Sequence, residues 1–283
     1  MTQHPSFGGP WTQEKLDILR SYLNSYTTAL KNQPFSLIYI DAFAGSGWYQ
    51  AKQPEDPGNY GEFDELRAGS ATIALEIDDR PFDHLIFVEK DVEFIESLSG
   101  LQAEHPSRNI EVIRGDANEE LPLICQDMRS SERAVVFLDP YATEVDWATV
   151  ESVANTKKID CWILFPLSAL TRMMDNDRRP NEELAGHLDR VFGGRQYWQE
   201  QLYRPSIQQS LFADEEIVAR EPQNRIAALY KERLATIFHA VAPTSRQLRN
   251  SQNSPMFELM FAASNPAGSR IAIEIANHIL ERW

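Results

Sequence analysis

The chain has 283 residues, of which 42% are apolar, enough to bury a complete α/β core in one large domain. It has no apolar run of about 18 residues, no apolar signal segment at its start and only two cysteines. These absences argue against a membrane-spanning helix and a disulfide framework, and we expect a cytoplasmic protein. Residues 1–150 carry 11 basic and 26 acidic side chains, a net charge of −15, whereas residues 151–283 carry 16 of each. The acidic half repels nucleic acid, so either a polynucleotide approaches over the C-terminal half or the substrate is not a polynucleotide.

The first predicted element is an amphipathic helix over residues 12–31. Leucines recur in it at helical spacing, at Leu16, Leu19, Leu23 and Leu30. Thr12 precedes this pattern and is the predicted N-cap. The helix can pack over the edge of the sheet or over the mouth of the cofactor site. For Trp11 we favour structural packing, whereas Lys15 has two open interpretations, one structural and one beside the carboxylate of a cofactor.

A predicted strand then ends in an acid and a turn of small residues. The apolar run SLIYID (residues 36–41) ends at Asp41, and Ala44-Gly45-Ser46-Gly47 follows. Glycine suits such a turn because a Cβ would keep the backbone away from a bound ligand. A carboxylate and bare backbone N–H groups at one strand end predict a site for a nucleoside-bearing cofactor.

A long segment separates this turn from its helix. Residues 48–69 carry two prolines and five acids, and Ser70 is then the predicted cap of a helical run. Long loops of this kind are often binding loops or lids, although a surface loop without a role explains the composition equally well.

Three further predicted strands also end in acids. The runs at 85–90, 110–118 and 134–141 end in Glu89, Asp116 and Asp139-Pro140-Tyr141. The carboxyl ends of parallel strands meet at one edge of a sheet, so these carboxylates and Asp41 should form a single cleft, with Glu89 on ribose hydroxyls. A dinucleotide fingerprint fits poorly, because the third glycine of G-x-G-x-x-G would fall at Gln50 and Glu89 is 48 positions past Asp41 instead of about 20.

The rest of the chain completes an alternating α/β pattern. Helical segments at 92–98, 119–128 and 147–154 separate the strands, and a fifth strand is predicted at 161–166. Such alternation predicts a parallel sheet with right-handed crossovers. We divide the chain into a cofactor-binding part (1–166), a helical insertion without strands (167–234) that walls the substrate side, and a C-terminal part (235–283). In that last part, strands at 240–243 and 256–263 form an antiparallel hairpin before a helix at 269–282.

These segments together resemble S-adenosylmethionine-dependent methyltransferases, in the turn D-x-F-x-G-x-G at 41–47 and in the acids after strands two, three and four. A wider set of segments is similar to the three-Cys-motif partner family of methyltransferase-like bacterial proteins, from about residue 11 onwards: WTQEKLDILRSY, IDAFAGSG, Gly69-Ser70-Ala71, FLDPY and FELMFAASNP. The resemblance implies a class I methyltransferase-like doubly wound sheet of seven strands with an antiparallel last strand. It also implies the cofactor S-adenosyl-L-methionine and a partner protein that holds the three cysteines. The family turn reads D-P-Y-G, whereas this chain has Ala142 in place of the glycine.

The D-P-Y turn carries the predicted chemistry. Methyl transfer to an exocyclic amine needs an acceptor for the N–H group, a rigid carbonyl and a flat face, which Asp139, Pro140 and Tyr141 offer in that order. The turn resembles the D-P-P-Y and D-P-F-G signatures of amino-directed nucleic-acid methyltransferases, without the second proline. We therefore expect N-methylation of an amino group on a nucleobase. The alternatives are a catalytically silent module that binds a partner protein, and a methyltransferase acting on a small molecule or a protein.

The predicted site has two groups of residues and no metal. The catalytic residues are Asp139, Pro140 and Tyr141. The cofactor-binding residues are Asp41, Phe43, Ala44, Gly45, Gly47, Glu89, Lys90, Asp116 and Ala117. A nucleic acid could use the arginines of the C-terminal half, although solvated helix faces explain these as well: Arg172, Arg178, Arg179, Arg190 and Arg195. Cys125 and Cys161 are predicted to be small buried hydrophobic residues.

Overall fold

A computed structural model describes residues 10–50, 66–205 and 218–283. Within these ranges the helices are α1 (Pro10–Ala29), α2 (Ser70–Leu75), α3 (Val92–Glu104), α4 (Ala117–Asp127), α5 (Trp147–Asn155), α6 (Leu167–Arg172), α7 (Glu182–Phe192), α8 (Arg195–Leu202), α9 (Gln223–Leu234) and α10 (Ser269–Leu280). The strands are β1 (Ser36–Asp41), β2 (Trp48–Gln50), β3 (Leu66–Ala68), β4 (His84–Glu89), β5 (Ile110–Arg114), β6 (Glu132–Leu138), β7 (Ile159–Phe165), β8 (Tyr203–Pro205), β9 (Val218–Arg220), β10 (Ala240–Val241), β11 (Arg246–Arg249) and β12 (Pro255–Ala263).

The central sheet has the predicted arrangement. Its strands lie in the order β5-β4-β1-β6-β7-β12-β10. The first five are parallel, and β12 runs antiparallel to both β7 and β10. This is the class I methyltransferase-like order with a reversed last strand. The short β11 also pairs with β12 and was not predicted. The chain runs outward from β1 through β4 and β5 and then restarts at β6, so the binding crevice of such a sheet lies between β1 and β6.

The apolar strands are buried on both faces, as expected for a sheet covered by helices on each side. Alternate residues of β1 belong to two cores, with Ile38 and Ile40 on one face and Leu37 and Tyr39 on the other. Helices α4, α5, α7, α8 and α9 cover the first face, and helices α1, α2, α3 and α10 cover the second. The sheet therefore presents only its strand ends to a ligand.

Two helix starts differ from the sequence prediction. Helix α1 begins at Pro10, so Thr12 lies inside the first turn, and its buried Oγ1 makes no hydrogen bond to the described residues. Proline suits the first turn because it has no N–H group left unsatisfied. Helix α2 is capped by Gly69, and Ser70 is its first residue. A local cap motif cannot show which of several adjacent small residues adopts the extended conformation.

The prediction that residues 167–234 form only helices is wrong. They include α6, α7, α8 and α9, but β8 pairs with β9 in a separate two-stranded sheet. Helices α7, α8 and α9 share the core on the first face of the central sheet. The division of the chain into three parts stays a prediction.

The predicted loop at 48–69 begins and ends as an antiparallel ribbon, in which Trp48 pairs with Ala68. Residues 51–65, the centre of that loop, lie outside the described residues. Both cysteines are buried, as predicted, and burial raises the pKa of the Cys125 thiol to about 12. Over the described ranges, no helix combines the length and apolar character needed to cross a membrane.

Candidate functional site

A cavity of about 780 Å³ lies at the carboxyl ends of the central strands. Nine of the residues that the sequence predicted for the site line this cavity: Phe43, Gly45, Glu89, Lys90, Asp116, Ala117, Asp139, Pro140 and Tyr141. Three others, Asp41, Ala44 and Gly47, are not on the cavity wall and are buried beneath it. The structure thus brings four strand ends together at the crevice that the sheet order creates.

The glycine turn after β1 exposes backbone to the cavity. Gly45 has φ +59° and Gly47 has φ +77°, a left-handed conformation that favours glycine. A Cβ on Gly45 would have no atom within 4 Å, so the missing side chain leaves space beside the cavity. Behind the turn, a Cβ on Gly69 would lie 2.9 Å from the carbonyl of Gly47, so glycine is also needed there for close packing.

Glu89 is held in place by backbone hydrogen bonds. Its Oε2 accepts from the N–H of Gly45 at 2.8 Å, and its Oε1 accepts from the N–H groups of Lys90 at 2.8 Å and Asp91 at 2.9 Å. These bonds join the end of β4 to the glycine turn after β1. Both lone pairs of Oε1 are engaged by these bonds, whereas Oε2 keeps one lone pair that can accept a hydrogen bond from a ligand.

Asp116 and Lys90 have partners around the cavity rim. Asp116 caps α4 by accepting a hydrogen bond from the N–H of Asn118 at 2.8 Å. The Nζ of Lys90 lies 2.5 Å from Oε1 of Glu144, and this bond raises the pKa of the exposed lysine. The positive charge of Lys90 is therefore partly balanced by a neighbouring wall residue.

Asp41 supports the glycine turn from below. It is fully buried, accepts hydrogen bonds from the Tyr39 hydroxyl at 3.3 Å and the Phe43 N–H at 3.4 Å, and is hydrogen bonded to Ser70. Burial, with a smaller contribution from the negative charge of Asp139, raises the pKa of Asp41 to about 7. Its place in the structure suits a buried support better than the direct cofactor contact expected from the sequence.

Asp139 pairs with Lys15 from the opposite end of the cofactor half. Nζ of Lys15 makes a short hydrogen bond to Oδ2 of Asp139, and the side chains are 8% and 20% exposed. The lysine also lies 5.1 Å from the ring centroid of Trp11. Lys15 therefore contacts the carboxylate of the D-P-Y turn, a partner that neither of its two open interpretations named.

The D-P-Y turn itself carries backbone strain. Ala142 has φ +65°, at the position where the resembling family has glycine. A left-handed conformation costs an L-residue other than glycine roughly 1–2 kcal/mol. Tyr141, just before it, lines the cavity and is 68% exposed. The alanine is therefore held in a conformation that glycine adopts freely.

One wall of the cavity was missed by sequence reasoning. The rings of Trp11 and Phe257 lie 4.9 Å apart at 38°, and both residues line the cavity together with Met256. Helix α6 also contributes to this wall, through Ser168 and Ala169 near its start and Arg172 at its end. For Trp11 the sequence favoured structural packing over a place at the cofactor mouth, and no local motif marks Phe257 as a site residue within its strand.

Most of the arginines considered as a nucleic-acid surface are in ion pairs. Arg178 pairs with Asp175. Arg190 pairs with Asp146. Arg195 pairs with both Glu182 and Asp189. These pairs favour the interpretation as solvated helix faces. As far as the structure describes the chain, no group of three or more His, Cys, Asp or Glu side chains is placed to hold a metal ion.

The chain matches no protein-family model and no curated protein. Among solved structures it is similar to protein LPL1258 from Legionella pneumophila, at 13% identity over 94% of this chain and 89% of that one, with a TM-score of 0.53. It is also similar to Trm1 from Pyrococcus horikoshii in complex with S-adenosyl-L-methionine, at 9% identity over 96% of this chain and 61% of Trm1, with a TM-score of 0.48. The likeness to LPL1258 shows a shared fold, and the strand order identifies that fold as methyltransferase-like.

Proposed function

We propose that this protein is an S-adenosylmethionine-dependent methyltransferase that methylates an exocyclic amino group on a nucleobase. The observation that carries the proposal is the meeting of two sets of residues in one cavity. One set is Gly45, Glu89 and Asp116, and the other is Asp139-Pro140-Tyr141. Both lie at the crevice where ligands bind in sheets of this order.

The cofactor side has the features that such a ligand needs. Glu89 is oriented by three backbone N–H groups and offers the remaining lone pair of Oε2 to a ribose hydroxyl. Gly45 leaves space for the ligand to approach the backbone. Asp116 beside the small Ala117 offers an acceptor to the adenine end. The resemblance to methyltransferases supports these assignments.

The charge of the cavity suits a cationic cofactor. S-adenosyl-L-methionine supplies an activated methyl group on a positively charged sulfonium. Five acidic residues line the cavity, against three basic ones: Glu89, Asp91, Asp116, Asp139 and Glu144 against Lys15, Lys90 and Arg172. A net negative lining favours binding of a cation over binding of its neutral product.

The D-P-Y turn has a clear task on the acceptor side. Oδ2 of Asp139 is engaged by Lys15, whereas Oδ1 has no hydrogen bond within the described residues and can accept one from an amino N–H. That bond orients the nitrogen lone pair, and the same oxygen is placed to take the proton that the methylated nitrogen releases. The Pro140 carbonyl offers a second acceptor, and Tyr141 a flat face. Lys15 acts as a positioning residue for the carboxylate.

We also propose that the protein works beside a partner that carries a three-Cys motif. This part rests on the family resemblance of residues 11–22, the glycine turn and the D-P-Y turn. A catalytically silent module that binds such a partner, with or without the cofactor, is the competing function. Failure of the cofactor to bind would favour that module, whereas measured methyl transfer would exclude it.

Calorimetric titration of S-adenosylmethionine and S-adenosylhomocysteine tests the proposal. We expect micromolar binding to the wild type and an affinity about tenfold or more lower in Glu89→Gln. The amide has nearly the same shape as the carboxylate but lacks the negative charge that strengthens a hydrogen bond from a hydroxyl. Glu96→Gln is the matched control, since Glu96 is exposed on α3 and outside the cavity wall. A folded wild type that binds neither compound would reject the enzyme and leave the silent module.

A further inference from the structure

Arg172 is distinctive among the basic residues that line the cavity. Lys15 pairs with Asp139 and Lys90 pairs with Glu144. Arg172 instead donates from Nη1 to the Ser168 hydroxyl at 2.6 Å, and within residues 10–50, 66–205 and 218–283 it has no carboxylate partner. Arg172 is exposed, and the guanidinium has further N–H donors besides the one bonded to Ser168. Such a group is suited to bind an anion.

The sheet order places this cation on the acceptor side. Arg172 ends the helix that follows β7, whereas Glu89 ends β4, and β4 and β7 are separated by β1 and β6. Three strand spacings amount to roughly 14 Å. Asp139, at the end of β6, lies between them along the sheet. An anion on Arg172 therefore belongs to the methyl acceptor and not to the cofactor.

The same side of the cavity presents flat apolar surfaces. Trp11 and Phe257 form a tilted aromatic pair, and the exposed ring of Tyr141 lies on the wall with them. Aromatic faces bind planar heterocycles by stacking. An acceptor that uses this wall combines a planar ring, an amino group at Asp139 and an anion at Arg172.

The surroundings limit the acceptor to a small anion. Among the described residues, Arg178, Arg190, Arg195 and Arg204 each pair with a carboxylate, so they have less free positive charge to offer to successive phosphates. Residues 1–150 carry a net charge of −15, which repels a polyanion. We propose that the methyl acceptor is a single nucleotide, whose base stacks at Trp11, Phe257 and Tyr141 and whose monophosphate binds Arg172. This inference rests on the proposed methyltransferase function.

The test compares nucleosides with their monophosphates. We titrate two sets of compounds into the wild type with S-adenosylhomocysteine present. The nucleosides are adenosine, guanosine and cytidine, and the monophosphates are AMP, GMP and CMP. At least one monophosphate should bind about tenfold or more tightly than its nucleoside, since charge-assisted bonds to arginine are strong and often bidentate. Arg172→Gln should abolish that difference and Arg172→Lys should restore part of it. Arg270→Gln, an exposed arginine on α10 outside the cavity wall, is the matched control.

Cofactor titration on the same variants separates the two proposals. If S-adenosylmethionine fails to bind the folded wild type, the methyltransferase function is rejected and the acceptor assignment falls with it. If the cofactor binds but no monophosphate gains over its nucleoside, or the gain survives in Arg172→Gln, only the nucleotide inference is rejected. A short single-stranded oligonucleotide that binds far more tightly than every monophosphate, with a steep salt dependence, would also overturn it in favour of a nucleic-acid acceptor.

Discussion

The two sides of the cavity are built in different ways. On the cofactor side, Glu89 is fixed by backbone N–H groups of its own two following residues and of Gly45, 44 positions away. On the acceptor side, Lys15 reaches Asp139 across 124 positions, and Trp11 meets Phe257 from nearly opposite ends of the chain. The cofactor side is thus a property of strand ends and turns, whereas the acceptor side exists only once α1, β6 and β12 have packed together.

The charges of the two sides also differ. Glu89, Asp91 and Asp116 dominate the cofactor side, whereas Lys15 and Arg172 lie on the acceptor side. Under the proposed assignments, a cationic cofactor and an anionic acceptor would each meet the opposite charge. Substitutions on one side should leave binding on the other largely intact. Measuring both on the same variants therefore tests whether the two sides are independent.

The largest expected effect is on the acceptor side, at Asp139. Asp139→Asn should lower kcat of methyl transfer by about 10²-fold or more, the usual contribution of a positioned proton acceptor. Affinity for S-adenosylmethionine should change little, because the cofactor contacts lie at other strand ends. Steady-state kinetics and calorimetry on the same variant measure the two quantities.

Folding must be controlled in this experiment, since Asp139→Asn leaves the largely buried Lys15 without its counter-charge. The double variant Lys15→Met, Asp139→Asn removes both charges and should regain stability without regaining activity. Asp127→Asn, at the exposed end of α4, is the neutral comparison. Activity of Asp139→Asn within about threefold of the wild type would contradict the assigned role.

An intermediate effect is expected on the pH dependence of stability. Burial raises the pKa values of Asp41, under the cofactor side, and Asp160, at the amino end of β7, each to about 7 from 3.8. The native state therefore binds protons that the unfolded state has released between about pH 4 and pH 7. Stability is greatest at the acid end of this window and falls as the pH rises through it, by up to roughly 1.4 kcal/mol per pH unit for each group.

Urea unfolding at several pH values measures this slope. Asp41→Asn and Asp160→Asn should each reduce it by a similar amount. Only Asp41→Asn should also weaken cofactor binding, and by less than Glu89→Gln, because Asp41 supports the glycine turn without lining the cavity. Equal effects of the two variants on cofactor affinity would show that Asp41 has no special relation to the site.

The smallest expected effect is at Ala142, where the acceptor turn holds an alanine at φ +65°. Ala142→Gly should raise the free energy of unfolding by about 0.5–1 kcal/mol, because relief of left-handed strain exceeds the entropic cost of glycine. Ala148→Gly, on the exposed surface of α5, should lower it by about 1 kcal/mol. A loss of stability in both variants would mean that the turn carries no strain.

Much of the candidate site could be predicted from the sequence. The apolar runs ended close to the observed strand ends, and the acids after them, Glu89, Asp116 and Asp139, meet at the cavity. The wrong predictions concerned local features: Thr12 was predicted as the cap of α1, and the hairpin formed by β8 and β9 was not predicted. Caps and very short strands depend on single residues, whose preferences are weak beside the packing that surrounds them.

The sequence alone determined which segments become strands, that their acidic ends share one edge, and that a glycine turn lies there. It could do so because hydrophobic periodicity and turn chemistry act over a few residues. Only the tertiary structure decided that Lys15 pairs with Asp139, that Asp41 lies beneath the cavity, and that Phe257 and Arg172 form the opposite wall. These contacts join residues far apart in the chain, so they depend on how α1, α6 and β12 pack against the sheet and on the burial that packing creates.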